Sequence, residues 1–440
     1  MFDQTATTND FIHRLTPADV PDDVMHMARR CLLDTLGVWI SGLSSKPSKI
    51  ARNHVARRYP GEIPMPLDGR KVNPVGLAFA GAVTIDAIDG HDGHQLCKGH
   101  ASVALVPALF AELGNAADGP LEALLTHLIV GEEIAIRAGL SLHSSVPDYH
   151  FSGAWNSLGC AAIAARLRGF SAYQTRQAIG IAEYFGPRAQ MMRCIEFPTM
   201  VKDSSSWGAM TGISAADLAE DGFTGAPAIT CESADVESFW TDLGQSWRIL
   251  ETNFKAYPVC RWAHPAIEGI GALMSGSDVP VDQIEEIIIT TFREATKLDT
   301  RRPTDGDSAQ YSLPLTVALA ALHGTVLPEH VLPEVFDKPE VWQLVDKVRF
   351  AESEEYNAVF PGERFADVSV VLSDGQKKRS RRFAARGNHD APLSDNELMD
   401  KFCHFTDRIV SKSAQEKFVK ILSDPANAPS AAEVVALMRT

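Results

Sequence analysis

The sequence predicts a mainly helical protein in which a large all-helical domain carries an inserted, smaller α+β domain. Apolar residues recur at helical spacing from about Pro17 to Arg261, short β-branched runs follow His264, and helical patterning returns in the C-terminal tail. The segmentation that follows is 1–268 for the first part of the helical domain, 269–388 for the α+β domain, and 389–440 for a helical tail that completes the first. A chain of 440 residues is long enough to bury two such units.

The first helix is read from "PADVPDDVMHMARRCLLDTLGVWISGL", where Val24, Ala28, Cys31, Leu32 and Leu36 keep helical spacing. Leu124, Leu125, Leu128 and Ile129 repeat the pattern between Leu121 and Ala138. Three further segments, "WNSLGCAAIAARLRGF", "TRQAIGIAEYFG" and "GAMTGISAADLAEDGF", are apolar or small on nearly every side, which predicts helices enclosed by other helices. Beyond His264, "EEIIITTF" reads as a strand, and "SLPLTVALAALHG" and "PEVWQLVDKV" read as helices. "ADVSVVLSDGQKKRSRRF" reads as two strands joined at Asp374-Gly375. In the tail, Ser430 and Glu433 form a capping box. No solenoid repeat or low-complexity run interrupts the pattern.

Composition narrows the function. A hydrophobic share of 45% with 22% charged residues is that of an ordinary folded protein. The net charge of -15 argues against a nucleic-acid partner, since neutralising phosphates needs a basic face. The one basic run, "KKRSRR" from Lys377 to Arg382, fits an edge strand protected by charge. Seven scattered cysteines without a CxxC pair indicate reduced, mostly buried thiols. Neither an export signal nor an apolar run of membrane-spanning length is present, so the expected setting is the cytoplasm, with no membrane partner.

The most informative stretch is "IDAIDGHDGHQLCKGHASVALVPAL", from Ile85 to Leu109. Asp89, His91, Asp92, His94 and His100 suit a metal, but neither HExxH nor an i, i+4 histidine pair accompanies them. A polar loop capping the following apolar helix, or a site for proton transfer or anion binding at that helix start, are the competing readings. Three more polar clusters interrupt apolar helices: Tyr149 and His150; Arg193 and Lys202; and Lys255, Tyr257, Cys260, Arg261 and His264. Together they supply acids, bases and cations without a nucleophile motif, a Walker loop or a dinucleotide fingerprint.

Five motifs in order, "IDAIDGHD…GHASVALVPAL", "YHFSGAWNSLGCAAIAARLRG", "GFTGAPAI", "KAYPVCRWAHPAIEG" and "AQYSLPLTVALAALHG", resemble the MmgE/PrpD family over almost the whole chain. That family contains 2-methylcitrate dehydratases, cis-aconitate decarboxylases and iminodisuccinate epimerase. The resemblance implies a lid role for the α+β domain, a homodimer, no cofactor and no required metal. It carries Asp89 and Asp92 onto the family's acidic loop, His100 onto the histidine that usually precedes Pro-Ser, His150 onto the "FH" histidine, Lys202 onto the cleft lysine, and His264 onto the histidine after "YPxC". Departures are Gly90-His91 and Gly93-His94 in place of an "FDD" run followed by threonine, Ala101 in place of proline, and Leu315 where some relatives place a tyrosine.

The chemistry implied is removal of a proton beside a carboxylate of a small polycarboxylate, with cations holding the carboxylates. Expected catalytic residues are Lys202, Tyr149, His150, His100 and Asp89; expected substrate-binding residues are His94, Lys98, Asp92, Arg193, Tyr257, Arg261 and His264. The extra basic residues of the altered loop favour epimerisation of an iminodisuccinate-like amino polycarboxylate. A 2-methylcitrate-type dehydratase is the alternative. A non-catalytic helical scaffold is the rival from another class, and it predicts that the polar clusters lie apart.

Overall fold

The computed structural model describes residues 4–113, 118–276, 279–332 and 336–439, and it is mainly helical with one principal mixed sheet. Two apolar cores organise it. The larger gathers buried side chains from Phe11 to Phe254 and again from Leu393 to Met438. The smaller runs from Tyr257 to Leu372 and borrows Phe151, Cys194 and Ile195.

In the larger core the expected helices form as Asp22–Gly42, Leu121–Ser145, Gly153–Leu167, Ala172–Phe185 and Ser205–Glu220. Val24, Ala28, Cys31, Leu32 and Leu36 are wholly buried, as their spacing predicts. Helix Gly153–Leu167 packs on both Leu121–Ser145 and Ser205–Glu220 and is buried from Gly153 to Ala165. Its small residues are what allow this approach: a Cβ on Gly208 would sit 2.7 Å from the Gly153 Cα. Among the described residues no helix is long and apolar enough to cross a membrane.

The smaller core is built on the strands Val348–Glu352, Ile284–Thr291, Phe365–Leu372 and Lys377–Arg379, in that spatial order. The first pair is parallel; the other pairs are antiparallel, and Phe383–Ala384 also joins Phe365–Leu372. The turn at Asp374-Gly375 forms as expected, with Gly375 at φ +83°, a conformation that favours glycine. Strand Lys377–Arg379 sits at the sheet edge, and the basic run is committed internally, Arg379 to Asp367 at 2.8 Å and Arg382 to Glu355 at 2.8 Å. Residue 268, the expected boundary, falls inside helix His264–Gly276, whose buried face belongs to the smaller core.

The tail forms helices Asp395–Thr406, Lys412–Ser423 and Ala431–Leu437, the last with the Ser430/Glu433 capping box. Phe402, Phe418 and Val434 return it to the larger core. Lys401 makes the decisive polar contact. Its buried Nζ donates to Asp34 Oδ1 at 2.5 Å and to the Gly90 carbonyl at 2.5 Å, fastening the tail to the loop that carries Asp89.

Lys401→Met leaves Asp34 buried without its cation and should cost about 3–5 kcal/mol. The double change Lys401→Met/Asp34→Asn should recover a large part of that loss. Urea unfolding of the three proteins checks this, and a single variant as stable as the wild type refutes it.

Candidate active site

Helix Pro74–Asp86 delivers the acidic loop, and helix Ser102–Glu112 receives it. Between them, Gly93–His94 pairs antiparallel with Thr252–Asn253, which brings the loop beside Lys255. Close packing holds it: a Cβ on Gly99 would lie 2.2 Å from Ser152 Oγ. The result is a cleft lined from both parts of the chain, by Asp89, His100 and Tyr149 from the segments before Phe254 and by Arg261, Tyr311 and Arg364 from the segments after it.

The charged groups are buried and paired selectively. Asp89 accepts a hydrogen bond from Lys255 Nζ, and its backbone N–H donates to Gln310 Oε1 at 2.8 Å. Burial opposes ionisation of Asp89, but the Lys255 ammonium, with Lys202 further off, outweighs it and holds the carboxyl well below the usual range. Asp86 lacks such a close cation, and burial pushes it up to about 6. His91 is enclosed, with Nε2 3.3 Å from Asp86 Oδ1, and burial with the Lys255 charge pushes it down to about 3. His100 packs edge-on against His91 at 4.4 Å between centroids, and burial and Lys255 push it well below 6.5. Its Nδ1 meets the Asp92 carbonyl, which only accepts, so Nδ1 carries the hydrogen and Nε2 keeps its lone pair. His100 is therefore a neutral imidazole with a basic nitrogen.

Asp203 has the opposite character. It lines the cleft, accepts from Ser152 Oγ, and is pushed well above the carboxylate range by burial and the nearby Asp86 charge. A carboxyl held in its protonated form is a proton donor. Ser152 also accepts from the His100 backbone N–H at 2.8 Å, so one hydroxyl links the segments bearing His100 and Asp203.

Of the expected residues, Asp89, His94, Lys98, His100, Tyr149 and Arg261 line the cleft. Lys98 Nζ lies 4.3 Å from the Tyr149 ring centroid. Lys202 stands just behind, donating to Gln310 Oε1 at 2.8 Å, 3.5 Å from Asp307, and over the Tyr311 ring. His94 is already spent: Nδ1 accepts from the Cys97 N–H and Nε2 lies 3.1 Å from Glu251. Asp92 faces away, with Oδ2 near the Ser102 N–H at 3.4 Å, so it caps the following helix. Burial and the Asp34 charge push it up to about 7.

Four expectations are corrected. Arg193 is exposed, because the short helix Met192–Glu196 turns Cys194 and Ile195 to the cleft instead. His150 sits behind Tyr149, bridged to Gln190 and bonded through its N–H to His143. The Tyr257 hydroxyl donates to Glu268 at 2.9 Å, outside the cleft lining. His264 is enclosed, with Nε2 3.2 Å from the Val259 carbonyl, and it also lies off the lining.

Site residues that the sequence did not single out are Lys255 as the Asp89 partner, Asp86, Asp203, Tyr311 and Arg364. Asp86 and Asp203 were legible as neighbours of expected residues. Tyr311 lines the cleft four residues before Leu315, which is core. Arg364 has no local signal, because only the chain's return brings it to the cleft. Three of the four non-glycine residues at positive φ among those described, Lys98, Lys202 and Ser204, flank this site, a concentration of strain typical of functional positions. Among the described residues no three His, Cys, Asp or Glu side chains are gathered as a metal would require.

A mainly helical body, a sheet-bearing second core and a charge-dense cleft between them define the class. Residues 7–238 match the MmgE/PrpD N-terminal domain and residues 257–424 the MmgE/PrpD C-terminal domain; the chain belongs to the MmgE/PrpD family. It is similar to the cis-aconitate decarboxylase-like protein oryM of Aspergillus oryzae, with 23% identity over 475 residues, covering 99% of this chain and 97% of that protein. Similarity extends to the cis-aconitate decarboxylases of Homo sapiens, 24% identical over 94% of this chain and 90% of theirs, and of Aspergillus terreus, 22% identical over 80% of each.

The neutral state of His91 has a stability consequence. An unfolded histidine titrates near 6.5 and His91 near 3, so between these values the unfolded chain binds a proton that the folded chain excludes. Stability is lost as pH falls through this window, at up to about 1.4 kcal/mol per pH unit from this group. His91→Gln should flatten the decline between pH 5.5 and 4.5 by about 1 kcal/mol in urea unfolding. Parallel wild-type and variant curves would show that His91 is charged in the fold.

Proposed function

We propose that this protein is an enzyme, a lyase that decarboxylates an unsaturated polycarboxylate of the cis-aconitate kind. The observation that carries the reading is the pairing, in one buried cleft, of unspent cations with a neutral His100 and a protonated Asp203. Convergence of the polar clusters on one cleft favours catalysis over a scaffold. The names of the similar proteins support the choice of decarboxylation.

Cleavage of the C–C bond releases CO2 and leaves its electron pair to form a new double bond. The old π pair then takes a proton, so one proton is consumed for each CO2 released. Asp203 supplies that proton and His100 Nε2 positions or recovers it. Lys202, Lys255 and Asp89 set the local field, and Tyr149 and Tyr311 offer hydroxyls to the substrate. Electrostatic preorganisation of this sort works best away from water.

Epimerisation of an iminodisuccinate-like substrate uses the same proton transfer without a leaving group, and dehydration expels water. The preference for epimerisation rested on the extra basic groups of the loop, His91, His94 and Lys98, suiting a substrate with more carboxylates. His91 and His94 are committed to the protein's own groups and Lys98 alone remains for such a carboxylate, so the lyase reading, which the similar proteins' names favour, takes precedence.

Proton NMR in D2O with cis-aconitate, 2-methylcitrate and iminodisuccinate offered separately distinguishes the three. The expected result is CO2 release from cis-aconitate with one deuterium entering the product. Inversion with exchange and no CO2 from iminodisuccinate, or an alkene from 2-methylcitrate alone, overturns it. Asp203→Asn, which keeps the Ser152 contact, should lower kcat by about 10²–10⁴ while the melting temperature changes little.

We also propose a homodimer held in a reducing, cytoplasmic setting. Tyr184, Phe185, Phe197, Val201 and Trp207, each more than half exposed in the single chain, support a second copy as partner. Light scattering should give twice the 47.8 kDa chain mass, and a monomer at micromolar concentration refutes it.

A further inference from the structure

Arg364 enters the cleft from the loop before strand Phe365–Leu372, on the wall opposite the acidic loop. Its Nε is buried and without a hydrogen-bond partner. Arg261 is in the same condition: a side chain 6% exposed, whose terminal nitrogens are fixed by the Phe254 and Arg386 carbonyls and Asn388, and whose Nε is buried and unpartnered. Among the described residues neither guanidinium forms an ion pair. Lys98 lines the same cavity, its Nζ given only to the Leu96 carbonyl at 3.2 Å and the Tyr149 ring.

The contrast with the rest of the cleft decides the matter. Lys255 is spent on Asp89, and Lys202 on Gln310 and Asp307, whereas Lys98 from the acidic loop and Arg261 and Arg364 from the facing wall line the cleft and make no ion pair among the described residues. Their charges oppose one another: burial and the neighbouring Arg364 push Arg261 down to about 9, and Arg364 also works against the charge of Lys98. Such an arrangement is costly when empty and favourable once an anion enters. The planar fork of Arg364 suits a carboxylate and Arg261 adds its charge beside it, while Trp262 and Phe360 suit the carbon chain that bears it.

Loop placement is also specific. Gln95, in the acidic loop, donates through Nε2 to the Gly362 carbonyl and lies 3.4 Å from the Pro361 carbonyl, tying the segment before Arg364 to the catalytic wall.

We infer that Arg364 is a specificity-determining residue which, with Arg261, seats the middle carboxylate of the substrate, one that is not lost, so that the enzyme selects tricarboxylates over dicarboxylates of the same chain length. This deepens the lyase reading and rests on it for which carboxylate is lost, but the seat itself is a binding property.

Calorimetric titration with tricarballylate, an unreactive tricarboxylate, and with glutarate, which lacks only its middle carboxylate, tests the seat without turnover. Wild type should bind tricarballylate more tightly than glutarate. R364Q should weaken tricarballylate at least tenfold and glutarate less than threefold, and R364K, which keeps the charge but loses the fork, should fall between. Thermal melting confirms that both variants fold, and R364K decides the question if R364Q does not. Equal loss of both ligands, unchanged tricarballylate binding, or no binding of tricarballylate by the wild type each overturns the proposal. With cis-aconitate, R364Q should raise KM with little change in kcat. Arg364-dependent binding without CO2 release would sink the lyase reading and leave the seat; CO2 release with an unchanged KM in R364Q would do the reverse.

Discussion

Lys255 and Asp89 meet where the two apolar cores adjoin, and the carboxylate could not stay charged there alone. Burial by itself would protonate the acid. Their contact lets a carboxylate persist inside the protein, and burial, reinforced by the field of Lys255, keeps His91 and His100 neutral. Asp86, less well matched, is left with a raised pKa, and its charge in turn helps keep Asp203 protonated. Burial and this ion pair together sort a cluster of acids and imidazoles into different charge states, which is the requirement for an acid and a base to coexist at one pH.

The pair is held by elements far apart in the chain. Lys401 ties the C-terminal tail to Gly90 and Asp34, Gln310 reaches from the smaller core to Asp89 and Lys202, and Ser152 joins the segments of His100 and Asp203. Strain accumulates at the same place. Lys98, Lys202 and Ser204 adopt left-handed backbone, each at a cost of about 1–2 kcal/mol for a side chain with a Cβ, and the surrounding packing over-determines them. Stability and function are coupled here because the polar ties that set charge state also close the larger core around the loop.

The histidine-rich loop divides its labour. His94 and Asp92 serve the architecture, one by anchoring to Glu251 and the other by capping helix Ser102–Glu112, while Asp89 and His100 face the cleft. The capping reading of this stretch falls to Asp92, while Asp89 and His100 of the same loop line the cleft. Side-chain type alone does not separate them, since the difference lies in which wall each side chain meets.

Much of the fold was legible because periodicity is local. Val24, Ala28 and Cys31 announce their helix, the small residues of Gly153–Leu167 announce enclosure, and Asp374-Gly375 announces its hairpin. The motifs of the acidic loop, of Tyr149 and of the Lys255 to Arg261 segment likewise named the regions that form the cleft. The sequence alone determined the elements, the family and the neighbourhoods of the site. Only the tertiary structure decided that Arg193, His150, Tyr257 and His264 stand off the cleft and that Asp203, Tyr311 and Arg364 line it. The physical reason is that a side chain's charge state and its access to a ligand are set by burial and by partners tens to hundreds of residues away, and no local pattern encodes those.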